Sequence, residues 1–254
     1  MSKLNYKDIN KYIAECVMKP FYETRLEKLT ELNLNKILKR KNPYLFKAKN
    51  IETSGEFIKY TLDAYLSSQE ETMFGNLLEA FAIFVCKKVY KGHKSEQGVF
   101  KSVDLEFIRK NKYYIVGIKS GPNWGNKDQI DRMKSNFKIA KKILRKKGIK
   151  KEIIAVNGCI YGTDSSPFKE NSDKEQSYYK ICGQEFWELV SGDEQLYKEI
   201  ILPLDKEAKK RSDHFSDVYS EKSNEMIKDF SDSFLTKKGA IDWEKMIDFV
   251  SKKK

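Results

Sequence analysis

The sequence predicts an α/β (α+β) protein in which a mixed central β-sheet is flanked by helices. Apolar residues at helical spacing dominate roughly the first 90 residues. Between residues 103 and 119 the apolar residues instead recur at every second position, as in a β-strand. A basic amphipathic stretch over 128–147 then precedes a buried strand pattern over 152–161. With 254 residues, of which 40% are hydrophobic, the chain can bury a sizeable core and is not wholly disordered.

Three regions follow one another along the chain. Residues 1–66 are predicted to form a helical region, residues 67–203 a core, and residues 204–254 a C-terminal helical extension. Within the core we expect a helix from about residue 70 to residue 90, a polar loop over 162–177 and another helix from Gly183.

The change of period at residue 103 predicts a β-hairpin with a definite register. If Lys110 and Asn111 form the turn, the numbers of facing residues sum to 221, which places Glu106 opposite Ile115 and Asp104 opposite Gly117. Alternation then puts four residues on one face of the sheet: Asp104, Glu106, Gly117 and Lys119.

A carboxylate and an ammonium group are therefore expected to stand close together, since Lys119 is a diagonal neighbour of Asp104. Phosphodiester hydrolysis needs a hard cation held by carboxylates, an activated water and a positive group to offset charge at phosphorus. Asp104 suits the first task and Lys119 the second or the third. The alternative is a cross-strand ion pair on a solvated face.

The charge balance favours a polyanionic partner. There are 49 Lys and Arg against 37 Asp and Glu, a net charge of +12, and no basic cluster flanks an apolar anchor, so we expect nucleic acid rather than a membrane. Residues 134–151 contain nine Lys and Arg and no acid. This stretch, with Lys134 and Lys138, is either a phosphate-facing stripe or a solvated helix face.

The chain carries no sign of secretion or of a metal–thiolate site. Its four cysteines are widely spaced and are expected to be reduced and mostly buried. The first residues lack an apolar signal-peptide core, and no run approaches the ~18 apolar residues of a membrane span. We therefore expect a cytoplasmic protein with no membrane association.

One stretch resembles a known family. Residues 118–126, Ile-Lys-Ser-Gly-Pro-Asn-Trp-Gly-Asn, preceded by Val103-Asp104 and a hairpin, resemble the active-site region of type II restriction endonucleases of the PD-(D/E)XK nuclease superfamily. The closest likeness is to members that cut interrupted GG-N-CC-type sites. The stretch Tyr179–Trp187 also resembles such enzymes, and the likeness covers roughly residues 70–195.

The resemblance implies a restriction-endonuclease-like core in which Asp104 binds a metal ion, Mg²⁺, and Lys119 is the catalytic lysine. The sequence departs from the family pattern at Gly117, where Glu or Asp is usual. Glu79 is the first candidate to replace that acid, because a carboxylate among apolar neighbours is costly unless a cation or a donor meets it. The other candidates are Glu106, Asp128 and Asp131.

Polar residues after the catalytic lysine and in the polar loop are candidates for DNA contact. Asn, Gln and Lys side chains can bond base edges or phosphates, although Ser120 and Asn123 also suit a turn. The predicted DNA-binding residues are Ser120, Asn123, Asn126, Gln129, Lys134, Lys138, Lys169, Asn171 and Lys174.

The expected protein is a homodimeric, Mg²⁺-dependent type II restriction endonuclease acting on double-stranded DNA, functionally paired with a cognate DNA methyltransferase. The dimer is expected because protein two-fold symmetry would match a palindromic site. The helical region of residues 1–66 is expected to contact DNA or to mediate this dimerisation. Two alternatives remain. Gly117 is compatible with a DNA-binding protein that has lost catalysis, and the same core could belong to another nuclease such as a junction resolvase.

Overall fold

The computed structural model describes residues 4–96 and 98–253. Helices make up most of the described chain. They are α1 (Tyr6–Tyr12), a π-helical segment (Ile13–Met18), α2 (Lys19–Thr30), α3 (Leu34–Leu38), α4 (Pro43–Ala48), α5 (Ser54–Tyr90), α6 (Lys127–Lys146), α7 (Gly183–Ser191), α8 (Leu196–Glu199), α9 (Ile201–Phe234) and α10 (Trp243–Ser251).

A mixed six-stranded sheet with the order β1-β2-β3-β4-β6-β5 confirms the predicted fold class. The β3–β4 and β4–β6 pairs are parallel and the other three pairs are antiparallel. The strands are β1 (His93–Lys94), β2 (Leu105–Arg109), β3 (Lys112–Lys119), β4 (Ile153–Cys159), β5 (Phe168–Lys169) and β6 (Tyr178–Cys182).

The register of the β2–β3 hairpin is the predicted one. Leu105 pairs with Val116 and Glu106 with Ile115. Lys110 and Asn111 form the turn in the left-handed region, with φ of 48° and 61°. Two such residues in succession match the right-handed twist of the flanking strands, so the short turn fixes which side chains share a face.

Helices cover both faces of this sheet. On one face, Met133, Phe137 and Leu144 of α6 pack in a buried cluster with Tyr113 and Ile115 of β3. The opposite face carries the aromatic side chains of α7. A Cβ atom on Gly158 of β4 would lie 2.6 Å from the Phe186 ring, and the rings of Trp187 and Phe81 of α5 are 5.5 Å apart.

Several segments differ from the sequence-based expectation. The helix expected from about residue 70 begins at Ser54, since neither Gly nor Pro interrupts residues 56–74. Within the region predicted to be helical, Pro43 opens the short helix α4, where the Asn42 side chain accepts the Tyr44 N–H at 3.0 Å. The polar loop over 162–177 contains β5 and a short 3₁₀-helix, Lys174–Gln176.

The chain divides into two compact units. One comprises residues 1–18 and 75–206, and the other residues 19–74 and 207–254. The sheet with α6 and α7 belongs entirely to the first unit, and α2, α3, α4 and α10 to the second. The division at residues 66 and 203 stays a prediction.

Two smaller expectations concern thiols and membranes. All four cysteines are free; Cys86, Cys159 and Cys182 are buried, and Cys16 is exposed. Within residues 4–96 and 98–253, no helix is both long and apolar enough to cross a membrane.

Candidate active site

Asp104 stands immediately before β2 and is held by the backbone of β3. Its N–H donates to the Val116 carbonyl at 2.8 Å, and the Ile118 N–H donates to Asp104 Oδ2 at 2.7 Å. Asp104 Oδ1 has no hydrogen-bond partner among the described residues. One carboxylate oxygen is therefore fixed and the other remains able to bind a ligand.

Lys119 is the last residue of β3 and pairs with Cys159 on the parallel strand β4. Its backbone carbonyl accepts the Ile160 N–H at 2.9 Å, so the strand pairing continues just past the lysine. Its ammonium nitrogen lies 5.1 Å from the centroid of the Trp124 ring.

Glu79 of α5 is brought to the same place by tertiary packing. The pKa of its carboxyl is raised, first by burial and then by the negative charge of Asp104, while Lys94 and Lys119 act in the opposite direction. Charges shift a pKa in this way only when they lie near the group, because the interaction weakens with distance. Two carboxylates and two lysines therefore form one charged group, the Glu79–Asp104 group.

Position 117 has no room for the acidic side chain that is usual two residues before the lysine. A Cβ atom at this position would lie 2.6 Å from the backbone oxygen of Ser102. Ser102 itself has a φ of 59°, and its hydroxyl accepts a hydrogen bond from the Asn136 amide at 2.8 Å. The chain leading into β2 thus occupies the space that a side chain at 117 would need.

Glu106 was expected near the metal, but the structure turns it inward. Only 3% of the residue is exposed. The Ser95 hydroxyl donates to Oε1 and the Tyr113 hydroxyl to Oε2, both at 2.7 Å. Both oxygens therefore already accept hydrogen bonds from the protein, and Glu106 does not contribute to the shift of the Glu79 pKa.

Asp128 and Asp131, the other candidates for the replacement acid, are exposed at the start of α6. Asp131 Oδ1 accepts a hydrogen bond from the Lys134 ammonium at 2.9 Å. Lys134, which was predicted to contact DNA, therefore has an ion-pair partner within its own helix. Neither Asp128 nor Asp131 contributes to the shift of the Glu79 pKa.

The loop after Lys119 is anchored at both ends. At its start, the Tyr161 N–H donates to the Ser120 carbonyl at 3.2 Å, and the Tyr161 ring lies against Gly121. At its end, Asn126 and Gln129 form a reciprocal capping box at the start of α6, with hydrogen bonds of 2.9 and 3.0 Å. The side chains of Asn126 and Gln129 therefore have structural partners.

The side chains of Ser120 and Asn123 are exposed in this loop. Helix α5 passes beside it, because a Cβ atom on Gly75 would lie 3.5 Å from Ser120 Cβ. Gly75 is one helical turn before Glu79. The loop and the part of α5 that carries Glu79 are thus close together in the first unit.

The basic stripe of α6 holds the polar loop of the same chain. The Lys138 ammonium pairs with Asp173 at 2.8 Å, and Arg145 pairs with Glu175 at 2.9 Å. Lys141 is buried and donates to the carbonyls of Glu175 and Ser177 at 2.9 and 3.2 Å, and burial lowers its pKa. Part of this basic stripe is therefore used for contacts within the fold.

Two of the three predicted contacts inside the polar loop also have partners in the chain. The Lys169 ammonium bonds Asp164 at 2.8 Å and the Ser166 carbonyl, and the Asn171 side chain accepts the Asp173 N–H at 3.0 Å. Lys174, in the short 3₁₀-helix, is exposed.

Two residues near the Glu79–Asp104 group were missed in the sequence. Lys94 pairs with Leu105 across β1 and β2, and the N–H of the next residue, Ser95, donates to the Asp104 carbonyl at 3.0 Å. Trp124 was visible only as an aromatic residue in a loop rich in Gly, Pro and Asn. The two-residue strand β1 has no periodic signal that could have located Lys94.

Residues 4–96 and 98–253 contain no group of three His, Cys, Asp or Glu side chains placed to hold a metal ion. Two carboxylates nevertheless suit Mg²⁺, which is commonly bound by one or two carboxylates together with water and substrate phosphates. The repulsion between the like charges of Glu79 and Asp104 would be relieved by such a cation. The donor set therefore fits Mg²⁺.

A mixed sheet flanked by helices thus carries two carboxylates and a lysine near the end of its hairpin, and these groups suit a cation and a phosphate. Residues 7–212 match the family model of the type II restriction endonuclease EcoO109I, which is most of the chain, so this protein belongs to that family of type II restriction endonucleases. It is accordingly a site-specific deoxyribonuclease whose substrate is DNA. No curated protein matches the sequence.

Proposed function

We propose that the protein is a Mg²⁺-dependent restriction endonuclease of PD-(D/E)XK type, in which Glu79 replaces the acid missing at Gly117. The observation that carries the proposal is the convergence of Glu79 from a helix with Asp104 and Lys119 from the hairpin. The closure of position 117 by the Ser102 carbonyl supports it, because this chain has to take its second carboxylate from another element.

Asp104 and Glu79 would hold the ion. When bound, Mg²⁺ would offset negative charge on the scissile phosphate and favour ionisation of the attacking water. Asp104 Oδ1 is suited to this role since Oδ2 is already fixed by the Ile118 N–H.

Lys119 would act directly on the reacting atoms. Its ammonium group carries three donors and can orient a water for in-line attack while it stabilises the charge that builds on the phosphoryl oxygens. Lys94, on the neighbouring strand, adds positive charge to the same region. The charged group thus combines an anionic pocket for the cation with cationic groups for the phosphate.

The recognition site is proposed to resemble an interrupted GG-N-CC sequence, on the likeness of residues 118–126 to enzymes that cut such sites. A palindromic target would be read by a homodimer, and a methyltransferase of the same specificity would protect host DNA. The exposed side chains of Ser120 and Asn123 are the nearest candidates for contact with the cleaved strand.

Digestion of several plasmids with purified protein and Mg²⁺ tests this function. We expect a fixed fragment pattern on each DNA, with ends that map to one sequence. Retention of DNA without cutting would instead indicate a binding protein, and cleavage governed by DNA structure would indicate a junction resolvase.

Four variants test the assignment of residues. Asp104→Asn, Lys119→Met and Glu79→Gln are expected to reduce the cleavage rate by about 10³-fold or more while DNA binding in a gel-shift assay remains. Asp128→Asn is the matched control and should cut at close to the wild-type rate. Normal cutting by Glu79→Gln together with loss of cutting by Asp128→Asn would move the second ligand to Asp128.

A further inference from the structure

The ammonium group of Lys119 rests on an aromatic ring rather than on a carboxylate. Its nitrogen is 5.1 Å from the Trp124 centroid, and among the described residues no Asp or Glu lies within ion-pair distance of it. A cation at this distance from an indole face is attracted by the ring quadrupole. The loop that follows Lys119 thus returns over the lysine five residues later.

The Trp124 ring is held in place by apolar packing. It packs against the cluster formed by Phe137 and its neighbours beneath α6. Its indole N–H is buried and has no hydrogen-bond partner among the described residues. Packing of its faces and edges, rather than a hydrogen bond, therefore fixes the ring.

The loop on either side of Trp124 is also restrained. A Cβ atom on Gly162 would lie 2.7 Å from Pro122 Cγ, so the loop and the segment after β4 touch closely. Asn126, two residues after the tryptophan, begins the capping box of α6. The ring is therefore a fixed surface beside a flexible side chain.

We propose that Trp124 is the positioning residue for the catalytic lysine, holding the Lys119 ammonium in place for the scissile phosphate. This inference rests on the proposed function of Lys119. A lysine has a flexible four-carbon stem, and small displacements of a catalytic group cost large factors in rate.

A ring achieves this in a way that a carboxylate partner could not. An Asp or Glu paired with Lys119 would fix the side chain but would neutralise its charge and compete with the phosphate for its donors. The indole face leaves the ammonium positively charged. Trp124 thus restricts where Lys119 points without reducing its attraction for an anion.

Because the indole N–H has no hydrogen-bond partner among the described residues, Trp124 can be replaced without breaking a hydrogen bond. Trp124→Phe keeps an aromatic face and removes no hydrogen bond to the protein, whereas Trp124→Leu removes the face. Phe100→Leu is the matched control, since Phe100 belongs to the same buried cluster but does not contact Lys119. Trp124→Met replaces Trp124→Leu if the leucine variant does not fold.

Steady-state cleavage kinetics measure the effect on the reaction. Trp124→Leu is expected to lower kcat about tenfold with KM little changed, Trp124→Phe to stay within about threefold of wild type, and Phe100→Leu to retain wild-type kcat. Wild-type kcat in Trp124→Leu, or equal losses in the Phe and Leu variants, would overturn the inference.

A second measurement does not depend on activity. In the metal-free, DNA-free full-length protein, the ring current of Trp124 should shift the Lys119 side-chain NMR signals upfield, with Lys119→Met identifying them. The shift should persist in part in Trp124→Phe and disappear in Trp124→Leu. Unshifted wild-type signals would overturn the inference.

The two measurements also separate this inference from the proposed function. Failure of the wild-type protein to cut DNA would contradict the proposed function, whereas normal cutting by Trp124→Leu would contradict the positioning role alone.

Discussion

The backbone N–H of Ile118 donates a 2.7 Å hydrogen bond to Oδ2 of Asp104. Ile118 immediately precedes Lys119, so the main chain of one strand sets the position of the carboxylate relative to the lysine. A backbone donor cannot be removed by most side-chain substitutions. The backbone of the hairpin therefore sets the distance between the Asp104 carboxylate and the backbone of Lys119.

Restoring the usual acid at position 117 is expected to be harmful. Gly117→Glu and Gly117→Ala place a Cβ atom 2.6 Å from the Ser102 carbonyl, so the lead into β2 has to move and Asp104 moves with it. We expect a loss of about 2 kcal/mol in unfolding free energy, measured in urea, and reduced cleavage. Gly55→Ala, where the nearest atom is 4.0 Å away, is the control. A stable, fully active Gly117→Glu enzyme would contradict this account of the site.

Lys94 is expected to assist the reaction electrostatically. Lys94→Ala should lower kcat/KM about threefold to tenfold, with a smaller loss at high salt, because it removes an exposed positive charge beside Glu79 and Asp104. Lys87→Ala removes an exposed lysine from the end of α5 and serves as the control. Equal effects of the two substitutions would show that only net charge matters.

Lys141 and its neighbour Lys142 should behave differently although both lie in the basic stripe. Lys141→Met leaves the Glu175 and Ser177 carbonyls without their buried donor and should destabilise the protein by about 1–3 kcal/mol. Lys142 is exposed, and Lys142→Met should leave stability within about 0.5 kcal/mol of wild type. Chemical denaturation of both variants decides between a structural role and a surface role for Lys141.

The ion pairs of Asp164 should raise the free energy of unfolding by an amount that depends on pH. The hydrogen bond from the Lys169 ammonium is the main cause that holds the pKa of Asp164 at about 2, below its ordinary value of 3.8. Because the folded-state pKa is lowered, the stabilisation is complete above about pH 4 and is lost as the pH falls toward 2.

Asp164→Asn should accordingly cost about 1 kcal/mol at pH 7, after allowance for solvent screening, and progressively less below pH 4. The measurement is urea unfolding at a series of pH values. Glu194→Gln, at an exposed site, should show no such trend. A cost for Asp164→Asn that does not change between pH 7 and pH 3 would rule out the ion pair as its source.

The hairpin could be predicted from the sequence because a two-residue turn leaves one register that keeps the apolar residues buried. Lys110 and Asn111 supplied that information, and the pairing of Glu106 with Ile115 followed. The hydrogen-bond partners of Glu106 could not be predicted in the same way. Periodicity places a side chain on a face, whereas Ser95 reaches Glu106 only through the packing of β1.

The charged stripe of α6 shows the same limit. Its composition indicated a basic helix face, but the partners of Lys138 and Arg145 are acids about 30 residues away in the sequence. The contact between Lys119 and Trp124 likewise depends on the path of a loop that has no repeating pattern. Local periodicity therefore predicted the elements, while most contacts of the site depend on tertiary structure.

The pairing of the β3 and β4 backbones continues beyond the last strand residues, since the carbonyls of Lys119 and Ser120 accept the N–H groups of Ile160 and Tyr161. These bonds use no side-chain atoms of the exposed residues Ser120 and Asn123. Sequence changes at those two positions can therefore alter what the loop contacts without releasing the lysine. Such a division would let related enzymes vary the contacts of this loop while the backbone that carries the lysine stays the same.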